Sequence, residues 1–353
     1  MPTEKLRVLL TLSSVCLCEN DDGPPGPDSP YIYGFARHLS KNLGWDVKVV
    51  VPSSQKSWIG RYYYPREPGE TSSVSRPLQS DKAEFSEWIL LDGTPATCAN
   101  VALHNLFPEK IDLVISGPNL GRNSSAAFAL SSGTIGAALS SSLSHVRAIA
   151  LSYGTVERPV PDQFYEPAHE LSGQIIQKLW NAWGKDDSGL RNGEVDLYNV
   201  NVPMVDALVS EAGMRVVWTN MWRNAYGRLF TPHKLVDSED PNPEMDPGGP
   251  DAPLSPGPEN GDRSPETSGR VLSTVVTPQH ARELTFKFAP EMRHIVNPDL
   301  STLPKGCDAW AIAQGWASVT PLRASFAEPS GPDPESVDRI HVVGARQIAY
   351  RNA

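Results

Sequence analysis

From its start to about residue 200 the chain alternates short β-branched or apolar runs with amphipathic stretches, and no other feature limits the available folds as much. Ile32, Phe35, Ala36, Leu39 and Leu43 recur at helical spacing, so residues 30–43 are predicted to form a helix opened by Pro30. Val47-Lys48-Val49-Val50-Val51, closed by Pro52, reads as a buried strand. The apolar run over residues 8–18 supplies a strand before that helix and completes a βαβ unit. The pattern then continues with a strand at 88–91, a helix at 97–107, a strand at 111–115, a helix at 135–143 and a strand at 146–151. A helix at 170–183 and a strand at 195–202 follow. Such alternation predicts an α/β, Rossmann-like, mostly parallel sheet with helices on both faces.

The pattern stops after Trp218. Residues 232–270 are rich in Pro, Gly and Ser, hold nine acidic against three basic residues, and contain almost no large apolar side chains. A segment of that kind cannot offset its ordering entropy, and it is expected to be a disordered acidic insertion without a catalytic role. Residues 282–288 and 309–321 have alternating or short apolar character and are expected to form strands or a hairpin in a C-terminal, β-rich arm covering about 271–326. The expected organisation is one elaborated domain over 1–326, with its core at about 7–218, and a tail at 327–353.

The formal net charge of -10 argues against non-specific binding to nucleic acid, which basic residues drive by displacing counterions. Cys16, Cys18, Cys98 and Cys307 include no CxxC pair, so neither a zinc cluster nor a dithiol redox site is indicated, and free thiols in a reducing, cytoplasmic setting are expected. No run approaches the roughly 18 apolar residues of a membrane span. Lys5 and Arg7 before the apolar run do share the layout of a secretory signal peptide. Cleavage there would remove the segment wanted as a core strand, so the buried-strand reading is preferred.

In open parallel sheets ligands collect beyond the carboxyl ends of the strands, which selects the loops that matter. Asn20-Asp21-Asp22-Gly23 places two adjacent carboxylates on a tight loop, suited to a hard divalent cation, although the same residues form ordinary Asx turns. Ser116-Gly117-Pro118-Asn119-Leu120-Gly121-Arg122-Asn123 offers glycines for close backbone approach and two carboxamides. Ser131-Ser132-Gly133-Thr134 precedes a helix, where an anion can be held by backbone N–H groups or Ser can serve as a plain cap. Ser53-Ser54-Gln55-Lys56-Ser57 follows the strand ending at Val51. Each loop is ambiguous alone; together at one rim they describe a metal-plus-phosphate site.

The motifs Asn20-Asp21-Asp22-Gly23, Ser116-Gly-x-Asn-x-Gly-x-Asn123 and Ser132-Gly133-Thr134, in that order, resemble the SurE family of nucleotidases and acid phosphatases, in particular its fungal members through 221–227. Gly93-Thr94-Pro95, Asn199-Val200-Asn201-Val202-Pro203 and Ser318-Val319-Thr320-Pro321-Leu322 extend the resemblance over about 7–326. It implies that Asp21, Asp22, Ser57 and Asn119 ligate one divalent metal ion, Mg2+ or Mn2+, with Asp21, Asp22 and Asn119 as the catalytic set. It further implies that Asn123, Ser132, Gly133 and Thr134 hold the phosphate of a small phosphomonoester, typically a nucleotide, and that the chain forms a homodimer or homotetramer. Two departures stand out. Arg7 to Thr11 fits the family's first strand, yet residues 12–19 intervene before Asn20, so either 15–18 replaces that strand or the extra residues bulge out. Thr97 stands where many members have Asp.

Neither a P-loop, a GxGxxG fingerprint after the first strand, nor a GxSxG elbow occurs, and none of the eight histidines forms HExxH. His38, His104, His145 and His169 are therefore expected to be ordinary helix or surface residues. Trp58 and Tyr62 to Tyr64 could stack on a base or simply pack. The alternative to an enzyme is a non-catalytic nucleotide- or metal-binding oligomer whose site is disturbed by 12–19.

Overall fold

Strands buried on both sides build the centre of the molecule, in a computed structural model that describes residues 5–11, 29–53, 74–75, 88–108, 111–154, 160–233, 285–288 and 298–326. In chain order the elements are β1 (Arg7–Thr11), α1 (Ile32–Arg37), β2 (Asp46–Pro52), β3 (Val74–Ser75), β4 (Trp88–Leu91), α2 (Pro95–Val101), β5 (Leu113–Leu120), α3 (Ala126–Ser131) and α4 (Gly133–Leu143). There follow β6 (Arg147–Gly154), α5 (Tyr165–Asn181), β7 (Leu197–Pro203), β8 (Val216–Trp218), β9 (Phe230–His233), β10 (Thr285–Phe288), α6 (Asp308–Ala313) and β11 (Ala317–Leu322).

Among the described residues nine strands form one sheet in the order β3-β4-β2-β1-β5-β6-β7-β11-β8. From β4 to β7 the neighbours are parallel, whereas β11 runs antiparallel to β7. The chain winds outward from β1 in one direction through β2 and β4, and in the other through β5, β6 and β7. The order therefore reverses between β1 and β5, the position at which α/β sheets open a ligand crevice. α1 and α5 pack on one face with Val8, Leu10, Ile115 and Leu151; α2 and α4 pack on the other with Leu9, Val114, Ala148 and Leu197.

Local chemistry explains the helix starts. Thr94 caps α2 by accepting from the Thr97 N–H at 3.2 Å, with Pro95 supplying the preset first turn. α1 and α5 approach closely because Gly34 of α1 faces His169 of α5, and Gly173 of α5 faces His38, which directly follows α1. A Cβ on Gly34 would lie 2.6 Å from His169 Nε2, and one on Gly173 would lie 2.9 Å from His38 Nε2. Both histidines are thus buried. They are not surface residues, and the Tyr153 hydroxyl meets His169 Nδ1 at 3.0 Å.

Several sequence expectations need correction. The first core strand is Arg7–Thr11, central in the sheet and paired with both β2 and β5. Residues 12–28, which hold the rest of that apolar run, lie outside the described part. The strand expected at 111–115 continues to Leu120. Residues 308–313 are helical, because Cys307 caps α6 and four of its residues are buried, and only 317–322 form a strand. That strand joins the main sheet beside β7. Thr285–Phe288 does form a strand, pairing antiparallel with Phe230–His233. His233 stands opposite Thr285, so the chain leaves and returns at one place. Most of the expected insertion, and the tail at 327–353, lie outside the described residues.

Candidate active site

One face of the sheet changes character along its strands. Residues two apart point the same way on a strand, and register aligns them across neighbours. Towards the amino ends this face carries Leu9, Val114, Ala148 and Leu197, packed under α2 and α4. Towards the carboxyl ends it carries two polar rows. The first is Thr11, Ser116, then Ala150 as its one apolar member, Asn199 and Thr320; the second is Asn119, Ser152, Asn201 and Ser318. All these side chains are buried.

The second row exists because β5 carries an irregularity. Ser116 pairs with Ala150 and Asn119 with Ser152, so β5 spends one residue more than β6 over this step. Gly117 makes the kink possible. Its φ is +127°, and a Cβ there would stand 2.0 Å from the Leu151 carbonyl oxygen. As a result the Asn119 side chain faces the polar layer, fully buried, with neither its Oδ1 nor its Nδ2 hydrogen-bonded among the described residues.

Thr11 Oγ1, Ser116 Oγ, Asn123 Oδ1 and Ser318 Oγ in the same layer are also without hydrogen-bond partners among the described residues. Each buried polar atom left unpaired costs about 1–3 kcal/mol. Folded proteins rarely keep such atoms together unless a ligand meets them. Thr11, Ser116 and Asn119 lie where the strand order reverses. Every described member of the layer is uncharged, so any charge at this site comes from a ligand or from residues outside the described part.

Asn123 follows β5 and is clamped by β7. Its N–H donates to Asn201 Oδ1 at 2.7 Å, its carbonyl accepts from Asn199 Nδ2 at 2.8 Å, and its own Nδ2 donates to Ser152 Oγ at 2.8 Å. One end of the Asn123 carboxamide is thereby fixed while the other faces the layer; the direction of the Ser152 hydroxyl decides which end that is. The Asn199-x-Asn201 pair is legible as a motif, but its clamping role needs the register of β7 against the loop after β5.

Ser132 serves as the cap of α4, with its Oγ accepting from the Ile135 N–H at 3.2 Å. The plain capping reading holds for that hydroxyl. Gly133 and Thr134 are the first two helical residues, both buried. N–H groups of a first turn have no intrahelical acceptor and carry the positive end of the helix dipole. In a parallel βαβ connection this end of α4 lies at the carboxyl rim, where the polar rows are. Asn119, Asn123 and the Ser132-Gly133-Thr134 turn thus belong to one rim, whereas Asp21, Asp22 and Ser57 lie outside the described residues. Thr97 caps α2 with Thr94, its Oγ1 2.9 Å from Thr94 Oγ1, which gives it a structural position. No group of three or more His, Cys, Asp or Glu side chains suited to a metal occurs among the described residues.

Comparison with known proteins agrees with this architecture. The family model for Survival protein SurE matches residues 16–228, a span that opens downstream of β1. A probable tubulin–tyrosine ligase of Saccharomyces cerevisiae, PBY1, is 34% identical over 262 residues, covering 65% of this chain and 32% of that protein. The 5'-nucleotidase SurE of Methanocella arvoryzae is 32% identical over 192 residues, covering 53% of this chain and 66% of the relative. That of Geobacter metallireducens is 31% identical over 215 residues, covering 61% and 74%. The chain thus spans about a third of the yeast relative and two thirds to three quarters of these microbial ones. The SurE protein from Aquifex aeolicus shares the fold at a TM-score of 0.53 and 20% identity, over 91% of this chain and 94% of that one. By the extent of the matched span and by these relatives, the chain belongs to the SurE family.

Proposed function

We propose that this protein is a metal-dependent phosphomonoesterase that hydrolyses nucleoside monophosphates or related phosphate monoesters. The observation that supports this most is the buried layer of unpartnered oxygens at the sheet's switch point, beside the first turn of α4. Its donor set fits a hard divalent cation, because it is made of oxygens and lacks thiols or imidazoles. Asp21, Asp22, Ser57 and Asn119 would hold one Mg2+ or Mn2+. When bound, that ion supplies Lewis-acid polarisation of a phosphoryl oxygen and makes water more acidic.

The rest of the work falls to the chain. Asn123 and the N–H groups of Gly133 and Thr134 bind and orient the phosphate oxygens, while the α4 dipole favours their negative charge. The side chains of the layer are buried, which strengthens these dipoles. Asn119 and Asn123 are uncharged at all ordinary pH values, so of the residues assigned to the metal Asp21 and Asp22 are the ones that could hold a proton. Homodimer or homotetramer formation is part of the same proposal. The edge strand β8 supports it, with Trp218 65% exposed at the sheet margin.

The name of the yeast relative describes a ligase, but this chain spans only 32% of that protein. Hydrolysis therefore has the stronger support, through the microbial 5'-nucleotidase relatives. The test is hydrolysis of p-nitrophenyl phosphate and adenosine monophosphate by the purified chain, stripped of metal and then given Mg2+ or Mn2+. Turnover that appears only with metal and is lost in folded Asp22→Asn is expected. Tight nucleotide binding without turnover would favour the non-catalytic alternative; unchanged turnover in Asp22→Asn would refute the metal assignment.

A further inference from the structure

The loop that carries Asn123 is held at its far end by a part of the chain that the phosphate-site reading does not use. Ser125 has a φ of +107° and a ψ of 158°, a conformation that side chains other than glycine avoid and keep only when their surroundings enforce it. Here the enforcement is visible. Asp308, the first residue of α6 and fully buried, accepts the Ser125 N–H on Oδ2 at 2.9 Å across a sequence separation of 183 residues. Its Oδ1 accepts from the N–H groups of Trp222 at 2.9 Å and Ala309 at 2.7 Å.

The segment 222–226 closes the brace from the other side. Asn224 Nδ2 donates to Ser125 Oγ at 3.1 Å, and Asn224 Oδ1 accepts the Ala127 N–H at 2.9 Å. The Ala126 N–H donates to the Trp222 carbonyl at 2.8 Å, and the Tyr226 hydroxyl donates to the Ala127 carbonyl. Among the described residues only backbone N–H groups meet the Asp308 oxygens. A buried carboxylate that pairs with no cation is costly to keep unless its hydrogen bonds hold something in place. What it holds is the backbone two residues after Asn123 and directly before α3, whose end leads into Ser132-Gly133-Thr134.

We propose that Asp308 is a positioning residue for the phosphate side of the site. It locks the strained backbone at Ser125, and through it sets Asn123 and the start of α4. The inference rests on the reading of Asn123 and Ser132 to Thr134 as the phosphate subsite. It does not involve the residues assigned to the metal, since the brace reaches the loop after Asn123.

Asp308→Asn breaks this brace selectively. Its single oxygen can keep the Trp222 and Ala309 bonds, which leaves its NH2 facing the Ser125 N–H. In Asp308→Asn, the dissociation constant of inorganic phosphate by calorimetry and the KM for p-nitrophenyl phosphate are expected to rise together by about tenfold, the size of one lost hydrogen bond to a charged group. The manganese concentration for half-activation should move by less than about twofold. Phosphate affinity within about twofold of wild type, with the loss confined to the unfolding midpoint, would overturn the proposal. So would equal losses of metal and phosphate affinity. If Asp308→Asn gives no folded protein, Asn224→Ala, at a half-buried position, carries the same comparison with the same two outcomes. Wild-type protein that binds no phosphate would overturn the phosphate subsite itself. That result is distinct from a variant that binds as well as the wild type.

Discussion

Replacing Asn201 by alanine should weaken the fold and the site together, by an amount set mainly by one hydrogen bond. Asn201 is fully buried on β7, and its Oδ1 accepts the Asn123 N–H at 2.7 Å. In Asn201→Ala that N–H stays buried without a partner, which costs about 1–3 kcal/mol. The small void left by the missing carboxamide adds roughly 1 kcal/mol. A total near 3 kcal/mol is therefore expected for Asn201→Ala. Asn199→Ala removes a donor to the Asn123 carbonyl, and an under-satisfied carbonyl is better tolerated than an orphaned N–H. With the same void included, its cost should be nearer 2 kcal/mol. Because both side chains act on Asn123, the double variant should depart from the sum of the two. Urea unfolding of metal-free protein gives the three stabilities, and kcat/KM with a phosphomonoester gives the loss at the site. Equal unfolding midpoints for wild type and Asn201→Ala, or a larger loss in Asn199→Ala, would refute the clamp.

Three further outcomes follow from particular contacts. Gly117→Ala should cost about 3 kcal/mol and displace Asn119, because its Cβ would stand 2.0 Å from the Leu151 carbonyl at a φ of +127°; an unfolding midpoint near that of wild type would contradict the close approach. Burial holds the His169 imidazole down to about 3, with the neighbouring His38 acting in the same direction. The unfolded chain takes up that proton below about pH 6.5 and the folded one does not, so stability is fully present above that pH and lost as pH falls through the window, by up to about 1.4 kcal/mol per unit. Midpoints compared at pH 7 and pH 5 should show this slope, and His169→Gln should flatten it; an unchanged slope would assign the acid sensitivity elsewhere. Asn119→Ala should leave metal-free stability equal or raised, since it removes two unpaired buried atoms, while lowering kcat with metal by about a hundredfold; a clear loss of stability would make Asn119 structural.

The sheet was legible because its strands are short, apolar and separated by amphipathic stretches, and Val47 to Val51 or Trp88 to Leu91 could scarcely be anything else. Where two signals ran together, reading failed. The apolar run from Val8 offers two candidate core strands, at 7–11 and at 15–18, and the pairing of Arg7–Thr11 with β2 and β5 is what selects the first. Gly117 and Pro118 read as punctuation, yet the strand passes through them because Leu151 leaves room only for a glycine. At the site, Asn119 and Asn123 were visible as motif residues. The clamp and the brace were not, because Asn201 and Asp308 act on residues 78 and 183 positions away. Partners at such separations leave no local pattern.

A crystal grown with Mn2+ and examined by anomalous scattering at the manganese edge tests the central assignment most directly. One manganese ion is expected at the rim between β1 and β5, with Asn119 Oδ1 and carboxylate oxygens of Asp21 and Asp22 among its ligands. Manganese bound elsewhere, with the Asn119 carboxamide still unliganded, would contradict it.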